Sequence, residues 1–152
     1  MNSFFLKRTN SNDADFVALV RHLDAELAVR DGDEHAFYAQ FNKVDSIKNV
    51  VVAYLDGKAV GCGAIKPLEP QVMEVKRMFV FPDLRGQGIA SKVLSELERW
   101  AVELNADACC LETGLRQPEA IALYSKNGYE RIPNYGQYEG VENSVCFRKN
   151  LK

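Results

Sequence analysis

The chain has 152 residues, 47% of them hydrophobic and 26% charged. That is enough for one domain, 1–152, with a core that needs no staples, and the composition excludes collagen-like, coiled-coil and wholly disordered chains. Nineteen Lys and Arg against 21 Asp and Glu leave a net charge of -2, which argues against a broad electrostatic grip on nucleic acid.

Phe4 to Arg8 reads as a short strand. Its charges follow its apolar residues, the reverse of a secretory leader, and no apolar run approaches the roughly 20 residues that span a bilayer. A cytoplasmic protein without a membrane contact is expected. Ser11, Asn12 and Asp13 offer helix caps ahead of Phe16, Val17, Leu19, Val20 and Leu23, which recur at helical spacing. A weaker helical stretch runs from His35 to about Phe41. Residues 50–55 are a strand, and Asp56-Gly57 signals a hairpin into a second strand from about Lys58 to Ile65. Pro67 and Pro70 bracket the next turn.

Val72 to Val80 is a strand with polar residues in its middle, broken by the segment from Phe81 to Gly88. A long helix follows, with Ile89, Val93, Leu94, Leu97, Trp100, Ala101 and Leu104 as its apolar stripe. Ala108 to Thr113 is a strand. Pro118 opens a helix that ends at Asn127-Gly128. Strands at Tyr129–Ile132 and Ser144–Phe147 close the chain. The order β α α β β β α β α β β predicts a mixed α/β or α+β sheet.

The four cysteines (Cys62, Cys109, Cys110 and Cys146) form no CxxC pair, and the only histidines are His22 and His35. Reduced, buried thiols and no metal site are expected. The segment Arg85-Gly86-Gln87-Gly88-Ile89-Ala90 is the informative one. Small residues at a strand-to-helix junction let backbone approach a ligand, and a helix N-terminus presents free N–H groups that suit a phosphate or pyrophosphate. Neither of two familiar phosphate loops fits. A P-loop would need a glycine before Lys92, where Ser91 stands, and the dinucleotide fingerprint fails at its third glycine.

The pattern Arg-x-x-Gly-x-Ala at 85–90, after a strand and Pro82, resembles the acetyl-CoA signature of the GCN5-related N-acetyltransferase (GNAT) superfamily. Glu74 lies six residues before Val80, where the histone acetyltransferase branch carries its catalytic glutamate. The segment Ala120-Ile-Ala-Leu-Tyr124-Ser-Lys-Asn-Gly128-Tyr129 resembles the family segment whose tyrosine faces the thioester sulfur. The resemblance is strong over roughly 50–132. It implies a single-domain fold with a mixed, mostly antiparallel sheet of about six to seven strands, about four flanking helices, and a strand that splays from its neighbour at a bulge.

The same resemblance implies acetyl-CoA as co-substrate, with no metal. The freed backbone of Met78, Phe79 and Val80 would pair with the pantetheine arm. The amides of Arg85, Gly86, Gln87, Gly88, Ile89, Ala90 and Ser91 would wrap the pyrophosphate. Gln117 stands where many relatives have an asparagine against the pantetheine.

Acetyl transfer to an amine needs a base, a polarised carbonyl and a proton for the departing thiolate. The N–H of Val80 or Met78 would serve the carbonyl. Tyr124 is the expected acid; spacing alone would make it a core aromatic. Glu74 is the first choice of base, with an ion pair to Lys76 or Arg77 as its structural alternative. Glu112 competes, because it lies twelve residues before Tyr124, where the ribosomal-protein alanine acetyltransferases place their base. The acceptor in this fold sits between the early helical region and the last hairpin, which makes Glu26, Arg30, His35, Tyr38, Tyr135, Gln137 and Tyr138 candidates. Arg77, Arg116 and Arg131 could hold a substrate carboxylate. A small-molecule amine such as an amino acid is the expected acceptor, with a monomer or homodimer as the working unit. A protein N-terminus or lysine is the alternative, and a non-catalytic acyl-CoA-binding module is the second.

Overall fold

A computed structural model describes residues 3–31 and 46–152. Seven strands form one sheet: β1 (Phe4–Thr9), β2 (Asn49–Leu55), β3 (Lys58–Glu69), β4 (Val72–Val80), β5 (Ala108–Gly114), β6 (Glu130–Ile132) and β7 (Ser144–Asn150). Their spatial order is β1-β2-β3-β4-β5-β7-β6, and every pairing is antiparallel except β4 with β5. Three α-helices stand among the described residues: α1 (Ala14–Asp31), α2 (Ile89–Glu103) and α3 (Pro118–Lys126). The expected helix over His35–Phe41 lies outside the described residues.

Local chemistry accounts for most element ends. Asp13 caps α1, its Oδ1 accepting the N–H groups of Asp15 and Phe16 at 2.9 and 3.1 Å. Asp56 and Gly57 both hold positive φ, 52° and 82°, the backbone of a type I′ hairpin. The β3–β4 hairpin turns at Pro70 and Gln71, so β3 runs four residues past the expected Ile65 and carries Pro67 within it.

The sheet is covered on both faces. In β2, Val51 and Ala53 face the core beneath α2, while Val50, Val52 and Tyr54 face the core beneath α1. That period of two explains a continuous apolar run in an antiparallel sheet. Helix α2 buries Ile89, Val93, Leu94, Leu97 and Ala101. Leu104 falls outside the expected stripe, 45% exposed, and Trp100 lies partly covered beneath the Arg8 guanidinium at 4.8 Å.

Two irregularities in β4 shape the site. Its parallel ladder with β5 holds only from Val72 to Glu74, opposite Ala108 to Cys110. Beyond Glu74 the strands part. On the other edge, Cys62 faces Phe79 and Ala64 faces Lys76, so Gly63 alone opposes Arg77 and Met78. That is a β-bulge, and it bends the strand. Gly63 has to be small there, because a Cβ would overlap Met78 Sδ and sit 2.8 Å from Leu97 Cδ1.

All four cysteines are free and buried. Burial pushes the thiols of Cys62 and Cys109 up to about 12 and that of Cys146 up to about 11, from an ordinary 9.0. The folded chain therefore keeps these protons after the unfolded chain has lost them. The stability involved is complete below pH 9 and is lost as pH rises toward 12. The phenols of Tyr124, Tyr129, Tyr135 and Tyr138, also raised chiefly by burial, act in the same direction from 10.0 upward. The Tm is expected to decline progressively above about pH 9 in a thermal-melt series. A Tm constant up to about pH 11 would contradict this.

Candidate active site

The parting of β4 and β5 opens a cleft of about 120 Å³ between the two strands, α1 and the start of α3. Glu74, Glu112 and Tyr124 line it together, with Met78, Gln117 and Tyr138. These residues are scattered over 65 positions of sequence, from 74 to 138.

Glu74 stands at the vertex of the splay, the last residue of the parallel ladder and only 5% exposed. The Tyr135 hydroxyl donates to its Oε2 at 2.6 Å, and Lys76 Nζ lies 3.7 Å from Oε1. Two residues on along the strand, Lys76 shares the face of Glu74, so the structural alternative of an ion pair with Lys76 is present alongside the cleft-facing position. Glu112 projects from β5 and accepts a hydrogen bond from Ser144 Oγ at 2.8 Å. Its carboxylate, after burial, holds the phenols of Tyr124 and Tyr138 above the ordinary tyrosine value. A raised phenol stays protonated through neutral pH and can donate a proton. Tyr124 packs its ring against Tyr129 and Phe147, with centroids at 5.8 and 6.3 Å, so it is a core aromatic and a cleft residue at once.

The loop from Arg85 to Ser91 has the backbone of an anion cradle. Gly86 and Gly88 take φ of 81° and 85°, which glycine alone adopts without strain. An added Cβ at either would meet no atom within 4 Å, so the demand is conformational and the space above the loop is open. Gly88 caps α2 with no side-chain hydrogen bond, leaving the first N–H groups of the helix facing outward. Ser91 accepts from Asn127 Nδ2 at 3.1 Å. Phe81 N donates to Val60 O across the β3 edge, so the N–H of Val80, one residue back, points to the opposite side, where β5 has departed. The edge and the loop suit a long ligand with a hydrogen-bonding arm and a pyrophosphate, as acetyl-CoA has.

Other expected site residues have different surroundings. Arg85 donates to Val80 O at 2.9 Å and holds both carboxylate oxygens of Glu26, at 2.7 and 3.0 Å. Glu26 thus braces the loop from α1 and is not among the residues lining the cleft. Phe79 is buried in the core beneath α1, edge-on to Phe81 at 5.5 Å, while Val80 is buried in the core beneath α2. Arg30 lies in the last turn of α1, and Tyr38 and His35 lie outside the described residues. Tyr138 lines the cleft, whereas Tyr135 reaches Glu74 from behind, edge-on to Tyr138 at 5.9 Å. The Tyr135–Glu74 and Ser144–Glu112 contacts were not legible beforehand. The only sequence signal for the first was the aromatic richness of the Tyr135–Tyr138 loop.

Residues 16–129 match the model of the acetyltransferase (GNAT) family. An IAA acetyltransferase of Azospirillum brasilense is 43% identical over 102 residues, which are 66% of this chain and 67% of that protein. The solved structure of a Klebsiella pneumoniae protein assigned to the acyl-CoA N-acyltransferases is 33% identical, with a TM-score of 0.78 over 98% of both chains. A PaiA N-acetyltransferase of Thermoplasma acidophilum, solved in complex with coenzyme A, shares the fold at 16% identity, with a TM-score of 0.69 over 97% of this chain and 99% of that one.

Proposed function

Because this chain belongs to the GNAT family of acetyltransferases, an acyltransferase family, we propose that it moves an acetyl group from acetyl-CoA to the amine of a small molecule. The observation that carries this reading is the convergence of Glu74, Glu112 and Tyr124 on one cleft at the mouth of the β4–β5 splay.

Acetyl-CoA, when bound, supplies the activated acetyl group as a thioester. The outward N–H groups at the start of α2 and the glycines before them receive the pyrophosphate. The free edge of β4 at Met78 and Val80 pairs with the pantetheine arm, and Gln117 offers it an amide. An N–H of the same edge polarises the thioester carbonyl. Glu74 takes the proton that the acceptor amine must lose, held in place by the Tyr135 hydroxyl. Tyr124 gives its proton to the departing thiolate. The buried, protonated cysteines do not suit a covalent acyl-enzyme, since the thiolate is the nucleophile, so amine and thioester meet directly.

A small-molecule acceptor is supported by the size of the cleft and by its mixed lining. Lys76, Arg77 and Arg116 stand there with the two carboxylates. The coenzyme A complex of the Thermoplasma protein of the same fold supports acetyl-CoA as donor. The test is CoA release from acetyl-CoA over a panel of amino acids, polyamines, aminoglycosides and short peptides. Turnover with a small amine supports the reading. Turnover confined to peptides replaces the acceptor class, and acetyl-CoA binding without any turnover favours a non-catalytic module.

A further inference from the structure

We propose that Arg77 is a built anchor for a carboxylate, so that the acceptor is an amine that also carries an acid group. This deepens the acetyl-transfer reading and rests on it for the reaction, though the anchor can be tested without turnover.

Arg77 occupies the bulge of β4, three residues beyond Glu74, with φ of 62°. A left-handed backbone is strained for a residue that carries a Cβ, and such strain persists where the surrounding fold enforces it, often at ligand sites. Its side chain is only 4% exposed. A buried guanidinium has five N–H donors to satisfy. Here the ion pair is one contact, Nη1 to Asp24 Oδ1 at 3.3 Å, and the Asp24 side chain is 47% exposed. Nη2 is buried with no hydrogen-bond partner among the described residues. The carbonyl of Arg77, by contrast, accepts from Cys62 Sγ at 3.3 Å.

The position of Arg77 gives the unmet donor a purpose. Arg77 lines the catalytic cleft and also a second cavity of about 230 Å³ beneath α1, bordered by Ser11, Arg21, Asp24 and Ile47. Arg21 borders that cavity with Asp24, while the amine end of the cleft carries Glu112 and Glu74, with Lys76 Nζ 3.7 Å from the latter. An ammonium at the two glutamates and a carboxylate at Arg77 would each meet the opposite sign. A guanidinium with a free N–H donates to a carboxylate in a directed, charge-assisted bond.

The experiment is calorimetric titration of the full chain, with and without CoA. The probes are the common amino acids, β-alanine and 4-aminobutyrate, each as free acid and as carboxamide. At least one free acid is expected to bind about tenfold or more tighter than its amide, the range of a charge-assisted hydrogen bond. In R77M the acid should weaken to the level of the amide while CoA affinity is unchanged. A merely structural cross-link predicts a lower Tm for R77M; an unmet buried charge predicts a Tm equal or higher. If R77M no longer binds CoA, R77K decides, since it keeps the charge and loses the fork. Its acid-to-amide ratio should fall at least threefold with CoA binding intact. A wild-type protein that binds no acid better than its amide, or a preference that survives R77M or R77K, would overturn the proposal. An acid that binds through Arg77 but is never acetylated would instead remove the acetyl-transfer reading and leave the anchor standing.

Discussion

Tyr124→Phe is expected to lower kcat by about 10²- to 10⁴-fold, the range of a positioned general acid, with acetyl-CoA affinity nearly unchanged. The substitution removes one oxygen and keeps the ring. The packing against Tyr129 and Phe147 survives, so the Tm should barely move. Burial, reinforced by the Glu112 carboxylate, holds the proton on Tyr124 well past neutral pH, so the acid is fully charged with its proton where the enzyme works. Single-turnover rates and acetyl-CoA titration separate the two readouts. Equal loss of both would make Tyr124 a packing residue of α3.

Glu74→Gln is expected to cost about 10²-fold or more in kcat/KM with a lysine-like acceptor and to flatten the acid limb of the pH profile. An ammonium has no lone pair, and an amine with a pKa near 10.4 has to give up its proton inside the site. The loss should shrink for an α-amine, whose pKa near 8 leaves more free base. Glu112→Gln is the necessary companion. Removing that charge makes the Tyr124 phenolate less unfavourable, so the tyrosine value falls and the alkaline limb moves to lower pH. The acid limb should persist. If Glu112→Gln flattens the acid limb and Glu74→Gln does not, the two carboxylates exchange roles.

These experiments act on residues whose types were conspicuous in the sequence but whose relations were not. Glu74 interrupts an apolar strand, and the tyrosine segment stands out by its resemblance. Nothing local says that the Tyr135 hydroxyl supports Glu74, or that Ser144 rather than a substrate approaches Glu112. Glu26 shows the limit most plainly. Its place on an early helix suggested the acceptor, and the fold commits it to the Arg85 fork beside the anion loop.

By itself the sequence determined what depends on neighbours a few positions away. The β2 strand, the Asp13 cap, the Asp56-Gly57 turn, and the glycine loop before α2 are all written in short stretches, because backbone sterics and hydrogen-bond periodicity act over one turn or one strand. Only the tertiary structure decided where β4 leaves β5, what lies behind each carboxylate, and that Arg77 is buried with an unmet donor. Those contacts join residues 53 to 61 positions apart, as in Arg77 with Asp24, Arg85 with Glu26, and Tyr135 with Glu74. They follow from strand register and from the angle at which α1 crosses the sheet, which the whole core sets together and no single segment encodes.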